Sequence, residues 1–219
     1  MQIWTVLSIA LTLDGCGGYD VKLQSEVYTP DYKVYHNVSQ VVSRLEEFKK
    51  EHFNYITLNK NFKSKNGLPQ LLIKMSNFSL EKSEKSKQVK ILFAFGEHAR
   101  EFFPVESLLY FLKNITNGLS KRLDTYDYKF SEWVLNNFHI EIISLANPDG
   151  RVLIEKTKNY CWRGTSSGVD INRNFDWNYG DKGSSTDPAD GEYRGPHAFS
   201  GLFLPTQFES FLCIYNVIY

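Results

Sequence analysis

Residues 89–118 read VKILFAFGEHAREFFPVESLLYFLKNITNG: an apolar run, a polar loop and a second apolar stretch. The run over residues 89–95 has the composition of a strand that is buried on both faces of a sheet. The stretch after the loop carries Pro104 near its start and Gly118 at its end. Five apolar residues recur in it at helical spacing: Val105, Leu108, Leu109, Leu112 and Ile115. A strand, a loop and a helix in this order predict a β-α unit.

The flanking sequence predicts further strands. A second strand is expected over residues 138–146, after a short helical stretch around residues 133–135 and before Asn147-Pro148-Asp149-Gly150, which is typical of a turn. Upstream, β-prone runs at residues 55–58 and 71–75 flank an Asn-Gly turn and predict a hairpin. Strands separated by helices favour parallel pairing, so we expect an α/β fold with a mixed, partly parallel β-sheet flanked by helices.

Two segments before the central strand have a clear character. Residues 38–48 place apolar side chains three and four positions apart and predict a helix, with Asn37 or Ser39 as its N-cap. Residues 81–90 alternate charge with serine and predict a solvated loop.

The composition is that of one folded domain. The 219 residues include 25 basic and 25 acidic side chains, with 42% hydrophobic and 15% aromatic residues. This composition excludes disorder. A folded chain of this length buries roughly 70% of its unfolded surface, so it needs no covalent staples. The net charge of zero argues against a nucleic acid partner, because phosphate contacts need an excess of Lys and Arg.

The N-terminus and three sequons favour secretion. An apolar run from Ile3 to Leu13, followed by small residues, predicts a signal peptide over residues 1–18, and the run is too short to span a membrane. No Lys or Arg precedes the run, so a buried N-terminal strand is the alternative. Acceptor sites for N-glycosylation begin at Asn37, Asn77 and Asn114.

The three cysteines allow at most one disulfide. They are Cys16, Cys161 and Cys213, and no Cys-x-x-Cys pair suggests a structural zinc site. With so few cysteines, we expect Cys161 to be a small buried thiol.

His98 and Glu101 are candidate metal ligands. They stand in the loop after the strand at residues 89–95, at the sheet edge where open α/β sheets place their ligands. Three positions apart in a helical turn, an imidazole nitrogen and a carboxylate oxygen can reach one ion at about 2.0 to 2.2 Å. The alternative is an ordinary polar pair without a metal.

A second polar cluster has the chemistry of an anion site. Residues 168–175 place Asn172 beside Arg173, and Arg163 stands ten positions before that arginine. A guanidinium offers two parallel donors that match a carboxylate, and the neighbouring amide adds a third. The alternative is a structural loop whose arginines pair with Asp170, Asp176 or Asp149.

The motifs taken in order resemble those of the zinc metallocarboxypeptidases of the carboxypeptidase A/B type. Five segments carry the resemblance: Phe95-Gly96-Glu97-His98-Ala99-Arg100-Glu101, Asn147-Pro148-Asp149-Gly150, Cys161-Trp162-Arg163, residues 168–175, and Tyr193-Arg194-Gly195-Pro196 with Phe199-Ser200. Several motifs in the correct order are far more specific than His-x-x-Glu alone. The resemblance covers residues 28–200.

The resemblance implies a role for each candidate residue. His98 and Glu101 would be two of three protein ligands to a catalytic Zn²⁺ that polarises the scissile peptide carbonyl and activates water. Arg163 would stabilise the tetrahedral oxyanion. Asn172 and Arg173 would hold the free C-terminal carboxylate of a peptide or protein substrate, which restricts cleavage to the last residue.

Arg100 would be a secondary subsite residue, and the residues after Ser200 depart from the family. Because the family's pattern stops there, we expect residues 28–200 to be a partial catalytic domain and residues 201–219 a divergent apolar tail. The third zinc ligand and the general base are expected to be absent, and neither His197 nor Glu209 is assigned their role.

The expected function is therefore a zinc-dependent carboxypeptidase whose site is only partly encoded in this chain. The alternatives are a non-catalytic module that binds peptide C-termini and an inactive fragment. The preferred C-terminal residue and the oligomeric state stay open, because the pocket floor belongs to the part of the family's pattern that this sequence lacks.

Overall fold

The computed structural model describes residues 30–201 in full and residues 4–8 as backbone. Within these residues, five strands form one sheet: β1 (Trp4–Ser8), β2 (Ile56–Asn59), β3 (Leu72–Met75), β4 (Val89–Ala94) and β5 (Phe138–Ile143). The helices described are α1 (Val38–Glu51), α2 (Lys82–Lys85), α3 (Phe103–Leu119), α4 (Tyr126–Asn137) and α5 (Pro148–Thr157).

The sheet is mixed, as the sequence predicts. Its strand order is β1-β4-β5-β3-β2, with β4 parallel to both β1 and β5, and β3 antiparallel to both β5 and β2. The parallel pair β4 and β5 needs a long connection, and α3 and α4 supply it. The hairpin of β2 and β3 is confirmed as an antiparallel pair.

One face of the sheet carries the main core. Alternate residues of the strands, among them Met75, Ile140 and Ile142, are buried with apolar side chains of α1 and α3. Leu45 of α1 and Leu108 of α3 are almost fully buried there. Because successive strand residues point to opposite faces, this pattern fixes the register of the sheet.

The opposite face contains a buried carboxylate. Glu141 of β5 is 4% exposed, and its Oε1 lies 2.9 Å from Lys74 Nζ and 3.3 Å from His139 Nε2. Burial alone raises the pKa of Glu141, but hydrogen bonds from His139 and Lys74 outweigh it and hold the pKa below its ordinary value. This group is therefore ionised and paired at neutral pH.

Helix α1 confirms the predicted helix and decides its N-cap. The Asn37 side chain accepts from the Gln40 backbone N–H, and the Gln40 side chain accepts from the Asn37 backbone N–H, which is a capping box. The helix continues to Glu51, three residues beyond the predicted end.

Three local predictions are wrong. Residues 81–90 contain the one-turn helix α2, all of it exposed, where a loop is predicted. Asn147-Pro148-Asp149-Gly150 begins α5 rather than forming a free turn, because Asn147 caps the helix and Pro148 occupies its first turn. Strand β4 is not buried on both faces along its length: Leu92 is buried, whereas Val89 is 46% exposed.

Cys161 also differs from expectation. It lies in an exposed turn after α5 and is disulfide-bonded, so it is not a small buried thiol.

The predicted signal peptide and tail lie largely outside the described residues. Within residues 1–18, the structure describes Trp4–Ser8, which form β1 and pair with β4 from Lys90 to Ala94. A strand is the alternative that the sequence leaves open for this segment. None of the helices that the structure describes is long and apolar enough to cross a bilayer.

Candidate active site

The loop that carries the candidate metal ligands leaves β4 at Gly96. This residue has φ +70, and a side chain there would place its Cβ 2.6 Å from Leu145 Cδ1, so both conformation and space favour glycine. The turn brings His98 and Glu101 to the carboxyl end of β4. The Glu101 N–H donates to the His98 carbonyl at 3.2 Å, which closes the loop on itself.

His98 and Glu101 point toward one another. His98 Nδ1 lies 2.9 Å from Glu101 Oε1, and His98 is 3% exposed. The second imidazole nitrogen, Nε2, lies 3.1 Å from Oδ1 of the fully buried Asp170. Each nitrogen of the ring therefore faces a carboxylate.

Arg163 joins the same group. Its Nε donates to Asp170 Oδ2 at 2.8 Å, and its Nη1 lies 3.5 Å from Glu101 Oε1. The backbone carbonyl of Arg163 accepts from the Ala99 N–H at 2.8 Å, so the Arg163 segment is tied to the His98 loop by main chain as well as side chain.

The charges around His98 support a tightly coupled ion pair. Burial lowers the pKa of His98, but hydrogen bonds to Asp170 and Glu101 outweigh it and raise the pKa above its ordinary value. For Asp170, burial raises the pKa, but hydrogen bonds and charge interactions with His98 and Arg163 outweigh it and hold the pKa below its ordinary value. Both directions favour a protonated imidazole against an ionised Asp170 when no metal is bound.

The predicted anion site at residues 168–175, here called the anion loop, contains the same carboxylate. Asp170 Oδ1 accepts from the Asn172 backbone N–H at 2.9 Å and thereby caps the short 3-10 helix Ile171–Arg173. Asn172 is exposed. Asp170 is therefore hydrogen-bonded to His98, Arg163 and the start of the anion loop together.

Arg173 faces a neighbouring loop. Its Nε donates to the Gly183 carbonyl at 2.6 Å, and its Nη2 lies 3.5 Å from Glu192 Oε1. A Cβ on Gly191, the residue before Glu192, would lie 4.0 Å from Cδ of Arg163. The two arginines thus lie near the same short segment, residues 191–192.

Arg100, the predicted subsite residue, lies at the edge of the group. Its Nη1 donates to the Cys161 carbonyl at 3.3 Å, and the side chain is half-buried. The structure thus brings His98, Glu101 and Arg163 together, links Asn172 to them through Asp170, and gives Arg173 and Arg100 other partners. The pairing of Arg163 with Asp170 is the arrangement expected of a structural loop, and here it coexists with the candidate ligands.

The donor set fits zinc as part of a site. An imidazole nitrogen and a carboxylate oxygen converge, and the second imidazole nitrogen meets a carboxylate, which is the usual support of a metal-binding histidine. No group of three His, Cys, Asp or Glu side chains within residues 30–201 is arranged to hold a metal. Catalytic zinc sites usually have three protein ligands, and His98 and Glu101 are the two candidates among the described residues.

Sequence reasoning missed the central part played by Asp170. It considers this residue only as an arginine partner, whereas the structure shows contacts to His98 and to the anion loop as well. The rule that a metal-binding histidine bonds a carboxylate predicts that such a residue exists, but 72 positions separate it from His98, and the sequence alone does not single it out.

Comparisons with known proteins agree on one family. The sequence model of the zinc carboxypeptidase family matches residues 41–214, which extends past Ser200. A zinc carboxypeptidase of Saccharothrix mutabilis subsp. capreolus is 28% identical over 200 residues, covering 82% of this chain and 44% of that protein. The chain thus spans less than half the length of this relative.

Solved structures show the same fold. Thrombin activatable fibrinolysis inhibitor superposes with a TM-score of 0.69 at 20% identity, covering 86% of this chain and 46% of that one. Carboxypeptidase A from Helicoverpa armigera superposes with a TM-score of 0.64 at 24% identity, covering 90% and 45%.

Proposed function

Because this chain belongs to the zinc carboxypeptidase family, we propose that it forms part of a zinc-dependent carboxypeptidase, an enzyme that releases C-terminal residues from peptides or proteins. The observation that carries the proposal is the convergence of His98 Nδ1 and Glu101 Oε1, 2.9 Å apart, with Arg163 within 3.5 Å of the same carboxylate. Cleavage of a peptide bond needs electrophilic activation and a cation for the developing oxyanion, and this group offers residues for both.

Within the proposal, His98 and Glu101 hold the zinc. Zinc bound there supplies Lewis-acid polarisation of a carbonyl and acidification of water. Asp170 accepts from His98 Nε2 and so leaves Nδ1 to face the ion. The same carboxylate orients the Arg163 guanidinium, which stays positioned to donate to an oxyanion.

Arg173 and Asn172 are proposed to bind the substrate's free carboxylate. A guanidinium with an adjacent amide matches a carboxylate in charge and in donor geometry. Arg173 already has an acidic neighbour in Glu192 at 3.5 Å, so the environment of its guanidinium accommodates a carboxylate oxygen. Arg100 would contact the substrate further from the cleaved bond.

The test combines zinc with a matched pair of peptides. The protein is incubated with Zn²⁺ and either a short peptide with a free C-terminus or the same peptide amidated, and released amino acid is measured. We expect a protein that joins this chain to the rest of the family's catalytic domain to release amino acid from the free peptide alone, and to lose this release in Glu101→Ala. Equal release from the amidated peptide would contradict a carboxypeptidase.

A second function is favoured by a specific observation, the presence of only two candidate ligands among the described residues. It is a module that binds peptide C-termini through Arg163, Asn172 and Arg173 without cleaving them. Binding of the free peptide but not the amide, without release of an amino acid at any zinc concentration, would favour it over the enzyme.

Secretion and the domain limits are also part of the proposal. We place a partial catalytic domain over residues 28–200, and a divergent tail over residues 201–219. Of the sequon asparagines, Asn114 is exposed on α3, Asn37 caps α1, and Asn77 Nδ2 donates to Asn136 Oδ1 at 2.8 Å. The exposed amide of Asn114 supports a glycosylated, secreted protein.

A further inference from the structure

A buried arginine lies directly beneath the loop that carries His98 and Glu101. Arg151 stands in the first turns of α5, is 2% exposed, and is among the largest fully buried side chains described. Arginine is rarely buried to this extent unless it is paired, and keeping it from water is costly. Its placement therefore needs a reason beyond the filling of a core.

The contacts of Arg151 supply that reason. Its Nη2 donates to the backbone carbonyl of Glu101 at 2.6 Å, and its Cζ lies 3.8 Å from the centre of the Phe102 ring. Glu101 is a candidate ligand, and Phe102 is the next residue. The guanidinium thus contacts two consecutive residues: it donates a charge-assisted hydrogen bond to Glu101 and makes a cation–π contact with Phe102.

The packing around Phe102 holds this arrangement in place. Tyr32, Tyr35 and Tyr160 surround the ring with centroid distances of 6.2, 5.9 and 6.4 Å. Burial lowers the pKa of Arg151 to about 10, so the guanidinium remains protonated at neutral pH. A charged donor thus meets the Glu101 carbonyl in a site sheltered by aromatic rings.

Two hydrogen bonds hold the backbone of Glu101, one through its N–H and one through its carbonyl. Its N–H is bonded to the His98 carbonyl within the loop, whereas the bond from Arg151 comes from α5, 50 positions away in the sequence. Helix α5 itself starts from Asn147, whose Nδ2 donates to the carbonyls of Glu97 and Gly164. The start of α5 therefore contacts the loop at both ends.

We propose that Arg151 is a positioning residue for the metal-binding loop: by holding the Glu101 carbonyl and the Phe102 ring, it fixes the direction of the Glu101 carboxylate toward His98. The inference rests on the proposed function, since it concerns the zinc ligands of that site. It assigns no contact between Arg151 and zinc or substrate.

The test measures zinc affinity in folded variants rather than turnover. Zn²⁺ is titrated calorimetrically into metal-free wild-type protein, Arg151→Met, Arg151→Lys and the control Lys156→Met, which makes the same kind of change on the exposed side of α5. We expect Arg151→Met to weaken Zn²⁺ binding by about 10- to 100-fold, the usual effect of losing a residue that supports a ligand. Arg151→Lys keeps a charged donor and should restore most of the affinity, and Lys156→Met should match the wild type.

Melting curves of the same proteins separate positioning from packing. If Arg151→Met melts at a lower temperature but binds Zn²⁺ as tightly as the wild type, Arg151 only fills the core and the inference fails. Equal loss of affinity in Arg151→Met and Arg151→Lys would also overturn it, because the donor to Glu101 would not be what matters.

Two further variants keep the result decisive. Should Arg151→Met fail to fold, Phe102→Leu removes the ring and leaves the donor, and unchanged Zn²⁺ affinity in that variant would overturn the inference. Glu101→Ala tests the proposed function itself. If it binds Zn²⁺ as tightly as the wild type, the metal site is wrong and this inference falls with it; if it alone loses binding, only the inference fails.

Discussion

Asp170 is the residue on which the candidate site is centred, because its two oxygens receive His98, Arg163 and the Asn172 N–H. In Asp170→Asn, an NH₂ group replaces one carboxylate oxygen. This NH₂ donates hydrogen bonds and cannot accept the one that Arg163 or His98 donates to Asp170. We expect zinc affinity to fall by about 10- to 100-fold. Calorimetric titration with Zn²⁺ measures this directly.

The control for that change is Asp176→Asn, at an exposed aspartate of the next loop. It removes the same charge at a short distance along the chain and should leave zinc affinity unaltered. Equal affinity in Asp170→Asn and the wild type would show that the buried carboxylate does not support the histidine.

At the residue scale, the sequence identifies the candidate metal ligands, but it does not identify the distant residues that hydrogen-bond to them. His98 and Glu101 are neighbours in one loop, so their convergence follows from local geometry. The partners Asp170 and Arg151 are 72 and 50 positions from the groups they bind, and only the folded sheet brings them there. Their burial also runs against the general preference of charged side chains for the surface.

At the scale of the strands, Glu141 couples stability to pH. Its pKa is depressed in the folded state, so the stability it contributes is present above the ordinary pKa of a glutamate and is lost as pH falls through the folded value. We expect Glu141→Gln to lower the free energy of unfolding by about 1.5 to 3 kcal/mol at neutral pH, since hydrogen bonds to a charged group are lost. At an acidic pH below the folded pKa of Glu141, the variant and the wild type should converge.

Urea denaturation at the two pH values tests this prediction. Glu84→Gln is the matched control: Glu84 lies on the exposed helix α2 and pairs with Lys87, two residues after the helix ends, and an exposed salt bridge contributes little. A difference between Glu141→Gln and the wild type that stays constant with pH would contradict the role of the charge.

Element boundaries show where local signals are ambiguous. Asn-Pro-Asp-Gly is a turn by dipeptide chemistry, yet Asn and Pro are also the preferred residues of a helix N-cap and first turn. The residues C-terminal to this tetrapeptide decide between the two: the apolar face of α5, with Ile154 fully buried, favours the helix. Residues 56–59 and 72–75 pose no such ambiguity, because both belong to short, β-prone runs.

At the scale of the whole molecule, zinc should stabilise the fold if it binds the proposed ligands. Ligand at about 100 times its dissociation constant adds about 2.7 kcal/mol, which raises the melting temperature of a protein of this size by about 5 to 11 °C. His98→Ala should abolish the shift. His197→Ala, which removes an exposed histidine with no assigned role, should retain it.

Differential scanning calorimetry with and without Zn²⁺ measures these shifts. An equal rise in His98→Ala and the wild type would place the bound zinc elsewhere on the protein. A rise that disappears in His197→Ala would contradict the ligand assignment in the same way.

The global architecture is more predictable than its details. One β-α unit and a second strand fix parallel pairing of β4 and β5, since such connections have few solutions. The position of β3 beside β5, rather than beside β4, has no local signal in the sequence. In the folded sheet the other edge of β4 is paired with β1, so β3 pairs with the remaining edge of β5.

Strand β1 lies within the predicted signal peptide, so its five residues would either be removed by a peptidase or remain as a strand of the sheet. If a peptidase removes the predicted signal peptide, β4 loses β1 and the backbone amide and carbonyl groups on that edge of β4 are exposed. If the segment is kept, those groups are hydrogen-bonded to β1. Cleavage at the N-terminus would thus determine whether β4, the strand that leads into the His98 loop, has an unpaired edge to which another chain could add a strand.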